Sequence, residues 1–85
     1  MFWVYVLRNP EGRIYIGQTD DLDKRLSEHN DPLNTRSKFT KRYPGPWFVI
    51  YHETFTARLE ALARERALKS GQGRAWLRRE ILPKK

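Results

Sequence analysis

Aromatic and β-branched side chains are concentrated in two short runs near the start of the chain, which predict the strands of a β-hairpin. Residues 2–8 have the composition of a pleated, half-buried strand, and residues 13–18 form the second run. The Asn-Pro-Glu-Gly sequence of residues 9–12 has the residue types of a tight turn. We expect a register that places Tyr5 directly opposite Tyr15, with both phenols on one face. A slip of one residue would separate them, so this register is a hypothesis.

Helical spacing of apolar residues begins directly after this hairpin. Gly17 closes the second strand, where a glycine permits close backbone approach or an unusual φ, and Thr19 or Asp20 is the expected N-cap. One helical stripe then carries Leu22, Arg25, Leu26 and His29. The leucines would pack on the sheet, and Arg25 and His29 would project together from its edge. The alternative, for each polar residue alone, is a solvated arginine and a histidine that only interacts with the helix dipole.

The second half of the chain predicts one more strand and two more helices. These are expected over residues 47–52, over residues 57–69 and in a short helix that begins at Gly73. Thr54 or Thr56 would cap the longer helix, and Gly71 would stop it.

A polar and basic segment, residues 30–46, separates the two halves of the chain. A loop of this length in a compact domain is usually functional or disordered. Cations alternate with aromatic rings in it: Arg36, Lys38, Phe39, Lys41, Arg42 and Tyr43. Such a mixture suits phosphate contacts combined with base or sugar stacking, so we predict that this loop binds nucleic acid. The alternative is an ordinary basic loop.

Two glutamates in the predicted helix of residues 57–69 differ in their neighbours. Glu60 has Arg64 four residues later, which predicts an exposed ion pair. Glu65 has apolar neighbours within one turn: Ala61, Leu62 and Leu68. Its carboxylate therefore lies on or beside the buried face, where it requires a partner or a bound cation. A salt bridge, for which Arg25 is the candidate partner, and a metal site both remain open.

The charge balance favours a polyanionic partner such as nucleic acid. Lys plus Arg number 17 against 10 Asp plus Glu, a formal net charge of +7 on 85 residues; the alternative is a merely basic surface. The chain has no cysteine, which excludes a disulfide framework or a zinc–thiolate site and fits a reducing cytoplasm. We expect one domain over residues 1–85, frayed at 83–85, with no membrane span and no obligate protein partner.

Several of these stretches resemble the GIY-YIG nuclease domain. The matching features are the strands at residues 3–5 and 15–17, Arg25 and a helical glutamate. The phrase from Tyr15 to Leu22, with Arg25-Leu26 and His29-Asn30, is especially similar to a small single-domain bacterial branch, the UPF0213 or YhbQ-like proteins. The resemblance covers nearly the whole chain. It implies the α+β class, with a three-stranded antiparallel sheet flanked by helices.

The resemblance also implies an activity, the cleavage of phosphodiester bonds in DNA with one divalent ion, magnesium or manganese. Tyr5 and Tyr15 match the tyrosines of the two motifs that name the family. Arg25 matches the family arginine, and His29 matches a histidine found in some members. Glu65 matches the glutamate that binds the metal.

This chain departs from the family pattern in two places. Trp3 stands where the first motif has its glycine, although bulky residues are usual there in this branch. Some members carry an asparagine after the metal-binding glutamate, and none follows Asn34 here. One contact to the phosphate is therefore unassigned.

Phosphodiester hydrolysis needs an in-line water, a proton acceptor and positive charge on the developing phosphorane. Glu65 would hold the ion, and Arg25 would neutralise a phosphate oxygen. Tyr5 is the favoured base, with Tyr15 orienting water or phosphate. A phenol is a poor base at neutral pH unless nearby cations depress its pKa, and Arg25, the metal ion or a protonated or hydrogen-bonded His29 could do so.

Two other classes of function fit the same sequence. A nucleic-acid-binding module with a vestigial site would share the basic and aromatic residues but would not need Glu65 beside a phosphate. A small structural or interaction protein would use Tyr5 and Tyr15 only as core aromatics. If the domain is a nuclease, it should have little sequence specificity, because it carries no added recognition module.

Overall fold

The structure, a computed structural model, describes residues 1–33, 40, 42–43 and 45–82. The elements in chain order are β1 (Phe2–Arg8), β2 (Ile14–Thr19), α1 (Leu22–Asn30), β3 (Phe48–Phe55), α2 (Arg58–Lys69) and α3 (Gly71–Glu80). Across the described residues, β1 is the central strand of a three-stranded antiparallel sheet with the order β2-β1-β3. The α+β class and the three-stranded sheet flanked by helices are therefore confirmed.

The register of the hairpin differs from the predicted one by two residues. Tyr5 pairs with Gly17, and Leu7 pairs with Tyr15, so the direct pairing of Tyr5 with Tyr15 is wrong. Because side chains alternate between faces along a strand, a shift of two keeps both tyrosines on the same face. They are diagonal neighbours, with ring centroids 6.2 Å apart.

The turn between β1 and β2 explains this shift. The Asn9 N–H donates to the Arg13 carbonyl (3.1 Å), and the Gly12 N–H donates to the Asn9 carbonyl (3.0 Å). Gly12 has a φ of 86°, which glycine adopts without steric cost. The loop is therefore a three-residue turn closed by a glycine bulge, and it is longer than the predicted tight turn.

Helix α1 begins with a cap that differs from the predicted one. The carboxylate of Asp21 accepts a hydrogen bond from the Lys24 N–H at 3.1 Å, so Asp21 is the N-cap. Thr19 supports the turn before it, since its hydroxyl accepts from the Asp21 N–H at 3.1 Å. The prediction of Thr19 or Asp20 as the N-cap is therefore wrong by one or two residues.

Strand β3 continues to Phe55, three residues past the predicted end at His52, and this moves the start of α2. Thr54 lies inside the strand and cannot cap the helix. Ala57 occupies the N-cap position, and the Glu60 carboxylate accepts from the Ala57 N–H at 3.3 Å. The predicted threonine cap is therefore wrong, because Thr54 belongs to the longer strand and Thr56 precedes the N-cap by one residue.

Ser70 separates α2 from α3. Its extended backbone ends α2 at Lys69, and its hydroxyl accepts from the Gly73 N–H at 3.1 Å. Helix α3 therefore begins at Gly71, two residues before the predicted start at Gly73.

The sheet divides the hydrophobic core into two parts. On one face, buried strand residues pack against buried residues of α2 and α3: Val4, Val6 and Ile16 from the sheet, and Ala61, Leu68 and Leu77 from the helices. On the other face, Tyr5, Leu7 and Trp47 are buried, and Leu22 and Leu26 of α1 pack against them. The alternation of side chains along β1 therefore turns Tyr5 toward α1 and its neighbour Val4 toward α2.

An ion pair anchors α2 to β3 on the face away from α1. Arg64 binds both carboxylate oxygens of Glu53, each at 2.9 Å, and the Tyr51 hydroxyl donates to the same carboxylate. The Arg64 guanidinium also lies 5.3 Å from the centre of the Trp76 ring of α3. The predicted pairing of Arg64 with Glu60 is therefore wrong, because Glu53 offers two oxygens in a less exposed place.

Glu53→Gln is expected to lower the free energy of unfolding at pH 7 by about 1–2 kcal/mol. Burial works against the charged carboxylate, but hydrogen bonds from Arg64 and Tyr51 lower the pKa of Glu53. A lowered pKa in the folded state stabilises the protein above the pKa of the unfolded state, about 4.3, and this contribution is lost as the pH falls through the folded-state pKa. Urea denaturation should therefore show a difference in the free energy of unfolding between wild type and Glu53→Gln at pH 7, and this difference should shrink below about pH 4.

The matched control for this prediction is Glu80→Gln, because Glu80 pairs with Arg79 on the exposed surface at 3.0 Å. That substitution should leave the unfolding curve almost unchanged. A pH-independent difference for Glu53→Gln would contradict the role given to its charge.

Candidate active site

Tyr5 lies at the centre of a polar cluster between the sheet and α1. Its side chain is buried, with 1% exposed, and its hydroxyl is hydrogen-bonded to His29 Nε2 at 2.9 Å. Gly17, opposite on β2, makes room for the phenol: a Cβ atom there would lie 2.7 Å from the Tyr5 oxygen. The glycine is therefore required for close approach of the Tyr5 ring.

Tyr15 lies beside Tyr5 on the same face and is half-buried. Its ring centroid is 4.7 Å from that of His29. Tyr15 also lines a shallow depression at the β2 edge of the sheet, together with Lys69 and Arg74. It is therefore the more solvent-accessible of the two tyrosines.

His29 is held on both sides of its ring. Nε2 meets the Tyr5 hydroxyl, and Nδ1 is 2.9 Å from the Thr40 hydroxyl. The ring is buried, with 2% exposed, so it does not project from the helix edge as we predicted. Thr40 was not predicted as a site residue. It lies eleven positions after His29, and no local sequence pattern indicates that its hydroxyl contacts the imidazole.

Arg25 reaches the same cluster from the preceding turn of α1. Its guanidinium donates to Glu28 at 2.9 Å, and both side chains are largely buried. Burial opposes the charge, but the hydrogen bonds to Glu28 and Tyr5 raise the pKa of Arg25. Glu28 therefore fixes the arginine in its charged form. The sequence contained a signal for this pair, its i,i+3 spacing, that we did not use.

The surroundings of Tyr5 make its phenol less acidic. Burial raises the pKa of the Tyr5 phenol, and the nearby Tyr15 and the Glu65 carboxylate add to the rise. Arg25 opposes this effect but does not overcome it. Arg25 alone therefore does not depress the pKa of Tyr5 in the protein without a bound metal ion or substrate, because desolvation is the larger effect.

Glu65 approaches the cluster from α2. It is 18% exposed, and one oxygen accepts from the Lys69 ammonium at 2.7 Å. Arg25 pairs with Glu28, so the suggested salt bridge between Glu65 and Arg25 is wrong. Lys69 lines both the depression beside Glu65 and the one beside Tyr15, which connects the two residues along one surface.

The donor chemistry at Glu65 suits one hard divalent ion. A carboxylate supplies the oxygen ligand that Mg²⁺ prefers, and the open depression beside it leaves room for the waters that this ion retains. Lys69 neutralises the same carboxylate, so its ammonium would have to move away when a cation binds.

The loop residues predicted to bind nucleic acid are only partly described. Arg36, Lys38, Phe39 and Lys41 lie outside the described residues. Arg42 is exposed, with its guanidinium 5.7 Å from the centre of the Tyr43 ring. Arg13, at the hairpin turn, packs on the same ring at 3.9 Å, and no local pattern in the sequence indicated this second cation.

Four of the predicted site residues, Tyr5, Tyr15, Arg25 and His29, therefore form one cluster from β1, β2 and α1. Glu65, from α2, is near enough to act electrostatically on Tyr5. A model of the GIY-YIG catalytic domain matches residues 1–78. The chain belongs to the GIY-YIG family. This membership gives a family of the nuclease type. It assigns no role to an individual residue of this chain.

Relatives within the GIY-YIG family support the UPF0213 branch that the sequence indicated. The chain is 35% identical over 68 residues to a UPF0213 protein of Bacillus pumilus, and 41% identical over 69 residues to one of Lactiplantibacillus plantarum. Each match covers 80% of this chain and 66% of the relative, so the chain spans just under two thirds of their length. The names of these relatives state no activity.

A solved structure supports the same branch. The solution NMR structure of a UPF0213 protein from Bacillus halodurans has a TM-score of 0.54 and 27% identity, and the match covers 93% of this chain and 84% of the other. In the described part of this GIY-YIG chain, no helix has the length and apolar character needed to span a membrane.

Proposed function

We propose that this GIY-YIG protein is an endonuclease that hydrolyses phosphodiester bonds in DNA with little sequence specificity, using one magnesium or manganese ion. The observation that supports it most is the convergence on one position of two phenols, an imidazole and a buried guanidinium. A partly buried carboxylate lies near enough to raise the pKa of Tyr5. A core that only packs rings has no use for this set of charges.

Arg25 stabilises the charge that develops on the phosphate. Its guanidinium is already desolvated and oriented by Glu28, so little reorganisation is needed when the phosphate gains charge. Because the pKa of Arg25 is raised, the side chain stays charged throughout the reaction.

Tyr5 and His29 move the proton of the attacking water. Since burial raises the pKa of Tyr5, the phenol is protonated at neutral pH and does not act as a preformed base. It can accept a proton from water only while it gives its own to His29 Nε2, 2.9 Å away. The Thr40 hydroxyl, 2.9 Å from Nδ1, holds the imidazole in place for that transfer. Tyr15, the more exposed phenol, orients the water or the phosphate.

Glu65 would hold the divalent ion, which would supply Lewis-acid polarisation of the phosphate. When it does so, Lys69 is released from its ion pair. Lys69 then lies beside Tyr15 and Arg74, where it can contact the phosphate backbone.

DNA is the proposed partner because the net charge is +7, and because Lys69 and Arg74 line the depression beside Tyr15. Phosphate contacts hold a strand in place but do not read sequence, which is why little specificity is expected. A chain without cysteine suits the cytoplasm, where such a substrate occurs.

The experiment that tests this function is incubation of the purified protein with end-labelled single-stranded and duplex DNA, in magnesium, in manganese and in EDTA. Cleavage in either metal and none in EDTA supports the proposal. DNA binding without turnover in any metal would show instead a binding module with a vestigial site. If the protein neither bound nor cleaved DNA, the tyrosines would be explained as core residues only.

A further inference from the structure

Trp3 and His52 form an aromatic pair on the same face of the sheet as Tyr5. Trp3 precedes Tyr5 by two residues on β1, and His52 is the cross-strand partner of Tyr5 on β3. The centroids of the two rings lie 5.2 Å apart, with their planes at 69°. The pair therefore continues the polar cluster toward the β3 edge of the sheet.

This aromatic pair is much less covered than the tyrosine beside it. Tyr5 is buried, whereas Trp3 is only partly buried and His52 is exposed. Among the described residues, the two hydrophobic clusters that form the core do not include Trp3. Packing of the core therefore does not explain why an indole lies against an exposed imidazole at this place.

The position of the pair limits what it can bind. Residues two apart on a strand are separated by about 7 Å, so the pair lies roughly one nucleotide from the phosphate position beside Tyr5 and Arg25. A DNA strand with a phosphate at that position must continue over the neighbouring surface. The net charge of +7 favours such a polyanion, and the partly buried indole with its exposed imidazole neighbour offers aromatic surface to a base.

We propose that Trp3 and His52 form a stacking site for one unpaired base of the substrate strand, next to the phosphate that is cleaved. This inference rests on the proposed function and adds a substrate class to it. A base in an intact duplex already stacks on its neighbours and is paired, so it has no free face for Trp3. The site therefore selects strands with an unpaired base at the cleavage position: single strands, flaps and frayed ends.

The test is a cycle of protein and DNA variants, measured as binding in EDTA so that no cleavage occurs. Trp3→Leu retains apolar bulk but removes the planar ring, and a single-stranded oligonucleotide with abasic sites retains phosphates but removes bases. Wild type should bind the normal single strand about 5- to 150-fold more tightly than Trp3→Leu does, the effect of one stacked base. For the abasic strand and for a blunt duplex, the two proteins should differ less than about twofold. Trp3→Phe, which retains a ring, should lie between them on the normal strand.

Two controls separate stacking from a general effect on the fold. Phe48→Leu removes an exposed ring from the same strand as His52 but from the opposite face, and it should leave all affinities unchanged. His52→Gln alters an exposed residue, keeps the fold and should still weaken binding of the normal strand. This second variant decides the question if Trp3→Leu does not fold.

Equal losses on normal and abasic strands would overturn the inference, as would an unchanged affinity of both Trp3→Leu and His52→Gln. A wild-type dimer that Trp3→Leu converts to a monomer in sedimentation would also overturn it, because the face would then bind a second copy of the chain. Failure of the nuclease function is distinguishable. If no metal supported cleavage but the variants showed the expected DNA affinities, the stacking site would stand and the proposed nuclease activity would be rejected.

Discussion

Glu65→Gln is expected to abolish metal-dependent cleavage while DNA binding persists. The amide has nearly the shape of the carboxylate but lacks its charge, and Mg²⁺ is held by few protein ligands, so loss of one anionic ligand removes most of the affinity for the ion. The measurement is the initial rate of cleavage across a magnesium series, with binding measured separately in EDTA. Because Glu65 also neutralises Lys69, its loss frees a cation, and affinity for DNA in EDTA should stay equal or rise.

Glu60→Gln is the matched control on the same helix. Glu60 is exposed near the start of α2 and accepts hydrogen bonds from Ala57 and Thr56, so its loss affects only the first turn. Neither cleavage nor binding should change. Near wild-type turnover of Glu65→Gln in magnesium would show that the metal is held elsewhere. A loss of DNA binding in EDTA would show that Glu65 maintains the fold of the surface.

The sequence predicted the elements of this fold well because each one has a local pattern. The strand runs, the stripe of Leu22 and Leu26 and the apolar spacing of α2 depend only on neighbours along the chain. The hairpin register was not predictable in the same way. It depends on the number of residues in the turn and on the bulge that closes it, and the positive φ of Gly12 forms that bulge.

The residues of the candidate site were proposed mainly through a family resemblance, and their environments were not predictable from it. Spacing places Arg25 and His29 on one stripe, but it does not show that β1 and Thr40 enclose the imidazole. The partners of the charged residues depend on which group lies nearest in space. Arg64 binds Glu53, eleven residues away, although Glu60 is closer along the chain.

The direction of the pKa shift of Tyr5 has the same origin. The sequence suggested Arg25, His29 and a metal ion as groups that could make this phenol more acidic. In the folded protein the phenol is desolvated before any substrate is bound, and desolvation exceeds the effect of Arg25. Burial depends on how the sheet and helices pack together. The direction of a pKa shift that burial determines therefore cannot be read from residues that are neighbours in the sequence.

Tyr5→Phe is expected to lower the rate of cleavage by about 10²–10⁴-fold while the affinity for DNA in EDTA is unchanged. The substitution removes only the hydroxyl, and with it the group that passes a proton from water to His29. It also leaves the buried Nε2 of His29 without this partner, so the free energy of unfolding should fall by about 1–3 kcal/mol. Single-turnover rates at saturating metal, with unfolding curves of the same preparations, measure both quantities.

Tyr51→Phe is the matched control, because Tyr51 also hydrogen-bonds a charged partner but faces α2 and α3 on the other side of the sheet. It should reduce stability and leave the single-turnover rate unchanged. If the rate of Tyr5→Phe fell only because the variant unfolds, Tyr51→Phe would lose as much activity at equal destabilisation. The cleavage rate would also recover at lower temperature, where the variant refolds. If the cleavage rate of Tyr5→Phe is at least a hundredfold lower where both variants are fully folded, the missing hydroxyl is the cause. If its rate is close to that of wild type, Tyr5 does not take part in the proton transfer.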